Sequence, residues 1–246
     1  MSVVVVEGLG KTFGTVRAVR DVSFRVERGE VFGILGPNGA GKSTTIEMIS
    51  GAFPPDTGRV EVLGADPHRR HPWVSRRVGY QLQSSALPPA LRVGEALDLF
   101  AAFYETPMDP ALLLDLVGLR ELRRRPFGKL SGGEKQRLSI ALALIGDPEV
   151  VVFDELTTGL DPIARRDVRN LVAEVRDRGV TVILVTHFLE EAELLCDRLA
   201  VIDRGATVFV GTREELGALT STDAEARHGL EDAYLRLLSI QPAEEV

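Results

Sequence analysis

A glycine-rich segment near the N-terminus carries the residue types of a phosphate-binding loop. Its residues are Gly36, Pro37, Asn38, Gly39, Ala40, Gly41, Lys42 and Ser43, and Thr44 comes next. The segment matches the spacing G-x-x-x-x-G-K-[ST], follows an apolar run and precedes residues at helical spacing. The backbone amides of such a loop surround phosphates, Lys42 would reach the β and γ groups, and the Ser43 hydroxyl would bind Mg²⁺. The segment therefore predicts a nucleoside triphosphate site rather than a plain glycine-rich turn.

Two neighbouring carboxylates could act on that triphosphate. Asp154 and Glu155 follow the apolar run at residues 150–153. An apolar strand that ends in two acids resembles the Walker B element of nucleotide hydrolases, in which the first acid holds Mg²⁺ through water and the second polarises the attacking water. We therefore predict that Asp154 lies on the metal side and that Glu155 is the general base. The alternative is that both acids only cap the next helix.

A second segment also has the properties of an anion-binding helix start. Ser131, Gly132, Gly133 and Glu134 open an apolar helical pattern that ends at Gly146. The alternative is purely structural, because Ser131 and Glu134 also have the spacing of a capping box. Two glycines in a first helical turn each cost about 1 kcal/mol relative to alanine, so the pattern favours a need for close backbone approach. The chain thus carries two phosphate cradles and one set of hydrolytic residues.

Together these segments resemble the ATP-binding subunit of ABC transporters, and the resemblance runs through nearly the whole chain. It implies an α/β P-loop NTPase with a mostly parallel core sheet, an antiparallel β-subdomain at the N-terminus and an inserted α-helical subdomain. The family's signature segment, here residues 130–134, reaches ATP held by the opposite subunit. A complete set of motifs in one chain therefore implies a head-to-tail homodimer that binds ATP and Mg²⁺.

The resemblance also implies roles for residues that the motifs alone do not identify. Phe13 stands where the family stacks an aromatic ring on adenine, although a core aromatic at a strand end is the alternative. Gln83 stands at the glutamine that touches Mg²⁺ and the attacking water, with Gln81 as a competing candidate. His187 matches the histidine that contacts the γ-phosphate. Asp161 lies in the loop that crosses to the partner subunit, and it is also a good helix N-cap.

One residue departs from the family pattern beside the proposed base. Leu156 follows Glu155 at a position where the family usually has proline. Proline fixes its own φ, so its absence could loosen the placement of Glu155 and lower turnover. No reacting group is lost, and the residue types needed for hydrolysis are all present.

Apolar periodicity predicts the elements that hold these residues. Alternation at residues 22–26 predicts a strand of an antiparallel ribbon, and apolar runs at 150–153, 180–186 and 199–203 predict parallel strands covered on both faces. Residues 93–104 and 111–116 predict helices. We therefore predict one ABC-type domain made of an ATP-binding core at 1–83 and 148–220, a helical signature subdomain at about 84–147, and a short C-terminal helix and tail at 221–246.

Composition limits the partners and the location. The chain has 246 residues, a formal net charge of -7, and no apolar run long enough to span a bilayer. The acidic balance disfavours nucleic acid as a partner. Cys196 is the single cysteine and has apolar neighbours, which indicates a buried residue and a reducing compartment. The expected location is the cytoplasmic face of the membrane, peripheral through a separate transmembrane permease subunit.

The expected activity is ATP hydrolysis that powers an ABC transporter by closure of the dimer on ATP. The segments at 186–193 and 229–235 resemble those of subunits for export of drugs, antibiotics or lipids, and the substrate itself stays open. A soluble ABC-type ATPase that acts on nucleic acid or ribosomes is the alternative. It is disfavoured because this chain has one cassette, no heptad run and one cysteine. A third class, a clamp without useful hydrolysis, conflicts with the presence of Glu155 and His187.

Overall fold

A computed structural model describes residues 1–69, 72–81, 87–219 and 230–239. The described chain divides into two compact units, one from residues within 1–68 and 186–246 and one from residues within 69–185. The strands are β1 (Ser2–Phe13), β2 (Val16–Glu27), β3 (Val31–Leu35), β4 (Thr57–Val62), β5 (Val78–Gln81), β6 (Val150–Asp154), β7 (Thr181–Thr186), β8 (Arg198–Asp203) and β9 (Ala206–Thr212). The α-helices are α1 (Lys42–Ile49), α2 (Pro72–Ser75), α3 (Val93–Ala101), α4 (Pro110–Leu116), α5 (Gly132–Leu144), α6 (Pro162–Asp177), α7 (Leu189–Leu195), α8 (Arg213–Ala218) and α9 (Leu230–Ser239).

The first unit is built on strands in the order β4-β1-β2-β9-β8-β3. β1 pairs antiparallel with both β2 and β4, whereas β3 pairs parallel with β8. Val22, Phe24 and Val26 are buried while the residues between them are exposed, as the alternation at 22–26 predicts. The antiparallel ribbon is therefore confirmed, and β1 is its twelve-residue neighbouring strand, which ends at Phe13.

The second unit contains the parallel strands β7, β6 and β5, in that order. β6 and β7 are almost continuously buried, which agrees with the unbroken apolar runs that predicted parallel strands covered on both faces. Between residues 87 and 147, the described chain forms helices and turns, with no strand beyond one isolated bridge. The predicted mixture of a parallel core, an antiparallel ribbon and helices is thus confirmed.

Side-chain caps mark the starts of α4, α5, α6 and α8. Asp109 caps α4 by accepting the amide of Ala111, which satisfies one of the amides that a helix start leaves open. α3 ends at Ala101, three residues before the predicted end, because the chain turns at Phe103 and Tyr104. In the part of the chain that the structure describes, no helix has the length and apolar character needed to cross a bilayer.

Candidate functional site

The glycine-rich loop connects β3 to α1 in the first unit, and two of its glycines are required by geometry. A Cβ on Gly36 would lie 2.1 Å from the carbonyl oxygen of Ile202. Gly41 has a φ of 97° and would place a Cβ 2.6 Å from the carbonyl oxygen of Ala18. A larger residue is excluded at Gly36 by the close approach of β8, and at Gly41 by the left-handed backbone and the close approach of β2. The two strands therefore fix the path of the loop.

Lys42 begins α1 with a buried side chain whose charge is held by the loop itself. Its Nζ donates to the carbonyl oxygens of Gly36 at 2.8 Å and Pro37 at 2.9 Å. Ser43 follows on the exposed side of the first turn, and Thr45 donates its hydroxyl to the carbonyl of Gly41 at 2.8 Å. No acidic side chain lies in that first turn, so the positive end of the helix dipole and the ammonium group act together. Lys42 and the helix start can attract an anion.

The two predicted carboxylates stand at the end of β6 in the second unit. Asp154 is the last residue of the strand, and Glu155 follows with a left-handed φ of 51°. The Glu155 amide donates to the carbonyl of Val185 at 2.9 Å, and Leu156 is buried, so both sides of Glu155 are anchored. A non-glycine residue in this conformation costs about 1–3 kcal/mol, which surrounding structure must offset. Leu156, which stands where the family usually has proline, is 1% exposed.

Of the two candidate glutamines, Gln81 lies within the described residues and Gln83 does not. Gln81 is buried at the end of β5, and its Oε1 accepts the amide of Asp154 at 3.2 Å. It therefore links the ends of β5 and β6. Gln83 lies outside the described residues, so the assignment of the family glutamine to Gln83 stays a prediction.

The second helix start opens α5 and contains the expected capping box. The Ser131 hydroxyl accepts the amide of Glu134 at 3.2 Å, and Glu134 Oε2 accepts the amide of Ser131 at 2.7 Å. The two glycines differ in their surroundings. A Cβ on Gly133 would lie 3.0 Å from the Cβ of Ala164 on α6, whereas a Cβ on Gly132 would meet only Leu160 at 3.7 Å. Packing explains Gly133 and leaves Gly132, which is exposed, without a structural reason.

Asp161 and His187 occupy the ends of other elements. Asp161 caps α6 by accepting the amides of Ile163 at 2.9 Å and Ala164 at 3.0 Å. The Ala164 amide, followed by that of Ile163, holds the pKa of Asp161 below its ordinary value. The N-cap interpretation of Asp161 is therefore correct. His187 directly follows β7, is half-buried, and lies in the first unit.

Phe13 ends β1 in the first unit with 47% of its surface exposed. It is not a buried core residue, so one ring surface is available to a ligand. Its ring contacts Phe53 edge-on, with centroids 5.4 Å apart and planes at 89°. The sequence pattern did not identify Phe53 or the nearby Lys11–Asp56 ion pair, because these contacts join residues about forty positions apart. No local spacing signals such a pairing.

Comparison with known proteins identifies the family. A family model described as ABC transporter matches residues 19–158. The linearmycin resistance ATP-binding protein LnrL of Bacillus subtilis is 37% identical over 237 residues, which cover 93% of this chain and 76% of that protein. This chain belongs to the ABC transporter family. The Nod factor export ATP-binding protein I of Ralstonia nicotianae is 42% identical to this ABC subunit over 217 residues, covering 86% of this chain and 67% of that protein.

Solved ABC structures have the same fold. The ATP-binding subunit of an ABC transporter superposes with a TM-score of 0.84 at 28% identity, covering 96% of this chain and 99% of that one. A dimeric ATP-binding cassette bound to ADP and phosphate gives a TM-score of 0.76 at 25% identity, covering 85% of this chain and 98% of that one. The chain is thus an ABC-type ATPase subunit with a P-loop NTPase fold, as the motifs predicted.

Proposed function

We propose that this ABC ATPase hydrolyses ATP within a head-to-tail homodimer and that dimer closure powers export through a separate permease. The main support for the proposal is that the chain has two helix starts suited to bind an anion. α1 begins behind a loop that carries Lys42, and α5 begins with an exposed Gly132 that packing does not require. The carboxylates to which we assign hydrolysis, Asp154 and Glu155, lie together at the end of β6. In the proposed dimer, the α5 start of each subunit binds the phosphate held by its partner's loop.

The proposed hydrolysis uses positioning and charge. Lys42 leaves the carbonyls of Gly36 and Pro37 and binds the β and γ phosphates, whose charge it neutralises. Glu155 accepts a proton from the attacking water, and His187 holds that water against the γ-phosphate. The anchored backbone at Glu155 supports this role, because a general base must be held in a defined position relative to the water.

The proposed ATP site also assigns residues to the adenine base and to Mg²⁺. The exposed ring of Phe13 would stack on the base. The exposed Ser43 hydroxyl and the half-buried Asp154 carboxylate are oxygen donors of the kind that Mg²⁺ accepts, with Gln83 as a third proposed donor. Magnesium neutralises charge on the phosphates when it is bound.

The proposed membrane role rests on the relatives. Relatives of this chain are ATP-binding proteins for linearmycin resistance and Nod factor export. We therefore infer export of a drug, antibiotic or lipid-like molecule, with this subunit attached to the cytoplasmic face of the membrane through its permease. Isolation of the tagged chain from native membranes tests this part. Recovery with a polytopic membrane protein supports it, and recovery with ribosomes or nucleic acid alone would support the soluble ATPase instead.

Phosphate release from the purified chain tests the hydrolytic assignment. Glu155→Gln should bind ATP with a Kd close to that of wild type and should release phosphate about 100-fold to 10,000-fold more slowly, because a general base contributes that range. Glu174→Gln is the matched control, since Glu174 is a half-exposed glutamate on α6 that pairs with Arg178. It should keep the wild-type rate. Equal rates for Glu155→Gln and wild type would remove Glu155 from the proposed site.

A further inference from the structure

The open ring of Phe13 belongs to a larger assembly, which we call the aromatic clamp and define as Lys11, Phe13, Phe53 and Asp56. All four residues lie in the first unit. Phe53 and Asp56 belong to the connection between α1 and β4, and Lys11 and Phe13 lie at the end of β1. The clamp therefore ties the tip of the antiparallel ribbon to the segment that follows the helix of the phosphate-binding loop.

Ionic and backbone hydrogen bonds hold the two parts of the clamp together. Lys11 Nζ donates to Asp56 Oδ1 at 2.9 Å and to the carbonyl oxygen of Pro54 at 2.8 Å. The amide of Thr12 donates to Asp56 Oδ2 at 2.8 Å, and the Asp56 amide donates to the carbonyl oxygen of Gly10 at 2.8 Å. Charge-assisted bonds of this kind are short and geometrically specific. The backbone that leads into Phe13, at residues 10–12, is therefore tied to the segment that carries Phe53.

The same arrangement fixes the Phe13 ring. Phe53 meets it edge-on at a centroid distance of 5.4 Å, and Lys11 Nζ lies 5.8 Å from the Phe13 centroid and 5.4 Å from the Phe53 centroid. Edge-to-face pairs and cations near rings are both attractive geometries. Phe13 nevertheless keeps 47% of its surface exposed. An exposed aromatic that is held on one side has a fixed plane to offer and loses little freedom when a flat ligand stacks on it.

We propose that Phe53 is a positioning residue for the nucleotide base, acting through Phe13 and held in place by the Lys11–Asp56 pair. The inference rests on the proposed stacking of adenine on Phe13. The clamp presets the plane of Phe13, so the base binds a prepared surface and does not have to order a mobile ring. Because this contact involves the base alone, the clamp affects nucleotide affinity and leaves the phosphate chemistry unchanged.

The test compares binding of ATP with binding of tripolyphosphate, which has the phosphates and no base. Calorimetry on the full chain should show that Phe13→Leu raises the Kd for ATP by about tenfold or more, as expected for loss of a base–aromatic stack. Phe53→Leu should raise it by about threefold to tenfold, from loss of the ring pair. Phe53→Tyr keeps the ring and should restore wild-type affinity. None of the three should change the Kd for tripolyphosphate.

Kinetics and a double variant separate positioning from a general structural effect. Phe53→Leu should raise KM for ATP and leave kcat at its wild-type value. In the Phe13→Leu background, Phe53→Leu should have no further effect, because Phe53 acts through a ring that is no longer there. Phe103→Leu, which changes a phenylalanine with 71% of its surface exposed on the segment after α3, is the control and should bind ATP as wild type does.

The outcomes distinguish this inference from the proposed function. If Phe13→Leu weakens ATP binding and Phe53→Leu does not, the stack on Phe13 stands and the positioning role of Phe53 is refuted. If Phe13→Leu has no effect, the proposed adenine contact itself is refuted. A Phe53→Leu protein that loses affinity equally for ATP and tripolyphosphate, or a double variant with additive losses, would show that Phe53 only supports the loop and would overturn the inference.

Discussion

Gly132→Ala should make the protein more stable and less active. Gly132 is the first residue of α5, and an alanine Cβ there would meet only Leu160 Cδ2 at 3.7 Å, an ordinary contact distance. Replacing glycine by alanine at a compatible position stabilises a protein by about 0.4–1 kcal/mol, mainly because the unfolded chain becomes less flexible. For a chain of this size, that corresponds to a rise in Tm of about 1–4 °C.

The added methyl group should interfere with the proposed contact to the partner's phosphate. If the phosphate approaches the bare backbone of Gly132, a methyl group displaces it by about 1 Å, and a displacement of that size can cost about 100-fold in rate. ATP binding to the isolated subunit should be unchanged, because the phosphate-binding loop and Lys42 are untouched. Thermal unfolding, calorimetric Kd for ATP and steady-state phosphate release would be measured on the same preparation.

Gly133→Ala is the matched comparison for the stability half of this prediction. Its Cβ would lie 3.0 Å from the Cβ of Ala164 on α6, so the two helices must shift apart. Such overpacking costs about 1–3 kcal/mol, which should cancel or exceed the gain from a less flexible unfolded chain. A Gly132→Ala protein with wild-type turnover would refute the reasoning, since Gly132 would then be only a helix start.

Three further perturbations test separate parts of the structure. Ser131→Asp keeps a good N-cap for α5, so the free energy of unfolding should stay within about 0.5 kcal/mol of the wild-type value. The added negative charge should repel phosphate and abolish ATP turnover. Retained turnover would contradict the phosphate contact. Asp161→Ala should lower the stability to urea above pH 3.8, the ordinary pKa of that carboxyl, because a lowered pKa in the folded state stabilises the ionised form. That difference should fade as the pH falls through the lowered pKa, and a difference that grows with acid would have the wrong sign. Cys196 is buried and burial raises the pKa of its thiol, so it should react with a thiol reagent at pH 8 only in denaturant, and rapid native labelling would refute its burial.

Sequence patterns predicted the elements that depend on local residues. The capping box at Ser131 and Glu134 and the N-cap at Asp161 are present because a polar side chain and a nearby amide meet within one helical turn. The buried strand before Asp154 follows from a short apolar run. These predictions succeed because the interacting groups lie within a few residues of one another.

Contacts between distant segments could not be predicted in the same way. The pairing of Phe13 with Phe53 and of Lys11 with Asp56 requires β1 and the segment before β4 to meet, and no local period signals that meeting. The sequence also could not separate the two signature glycines, because only the approach of Ala164 shows that Gly133 is required by packing. Gly132 is therefore the glycine whose substitution tests the proposed phosphate contact.

In the proposed dimer, each ATP site takes its phosphate-binding loop from one chain and its α5 helix start from the other. Lys42→Ala and Ser131→Arg proteins, each inactive alone, test it directly when mixed in equal amounts. Half of the dimers would then be mixed, each with one intact site, so phosphate release should recover to about a quarter of the wild-type rate. A mixture that forms mixed dimers and stays as inactive as its components would contradict the account.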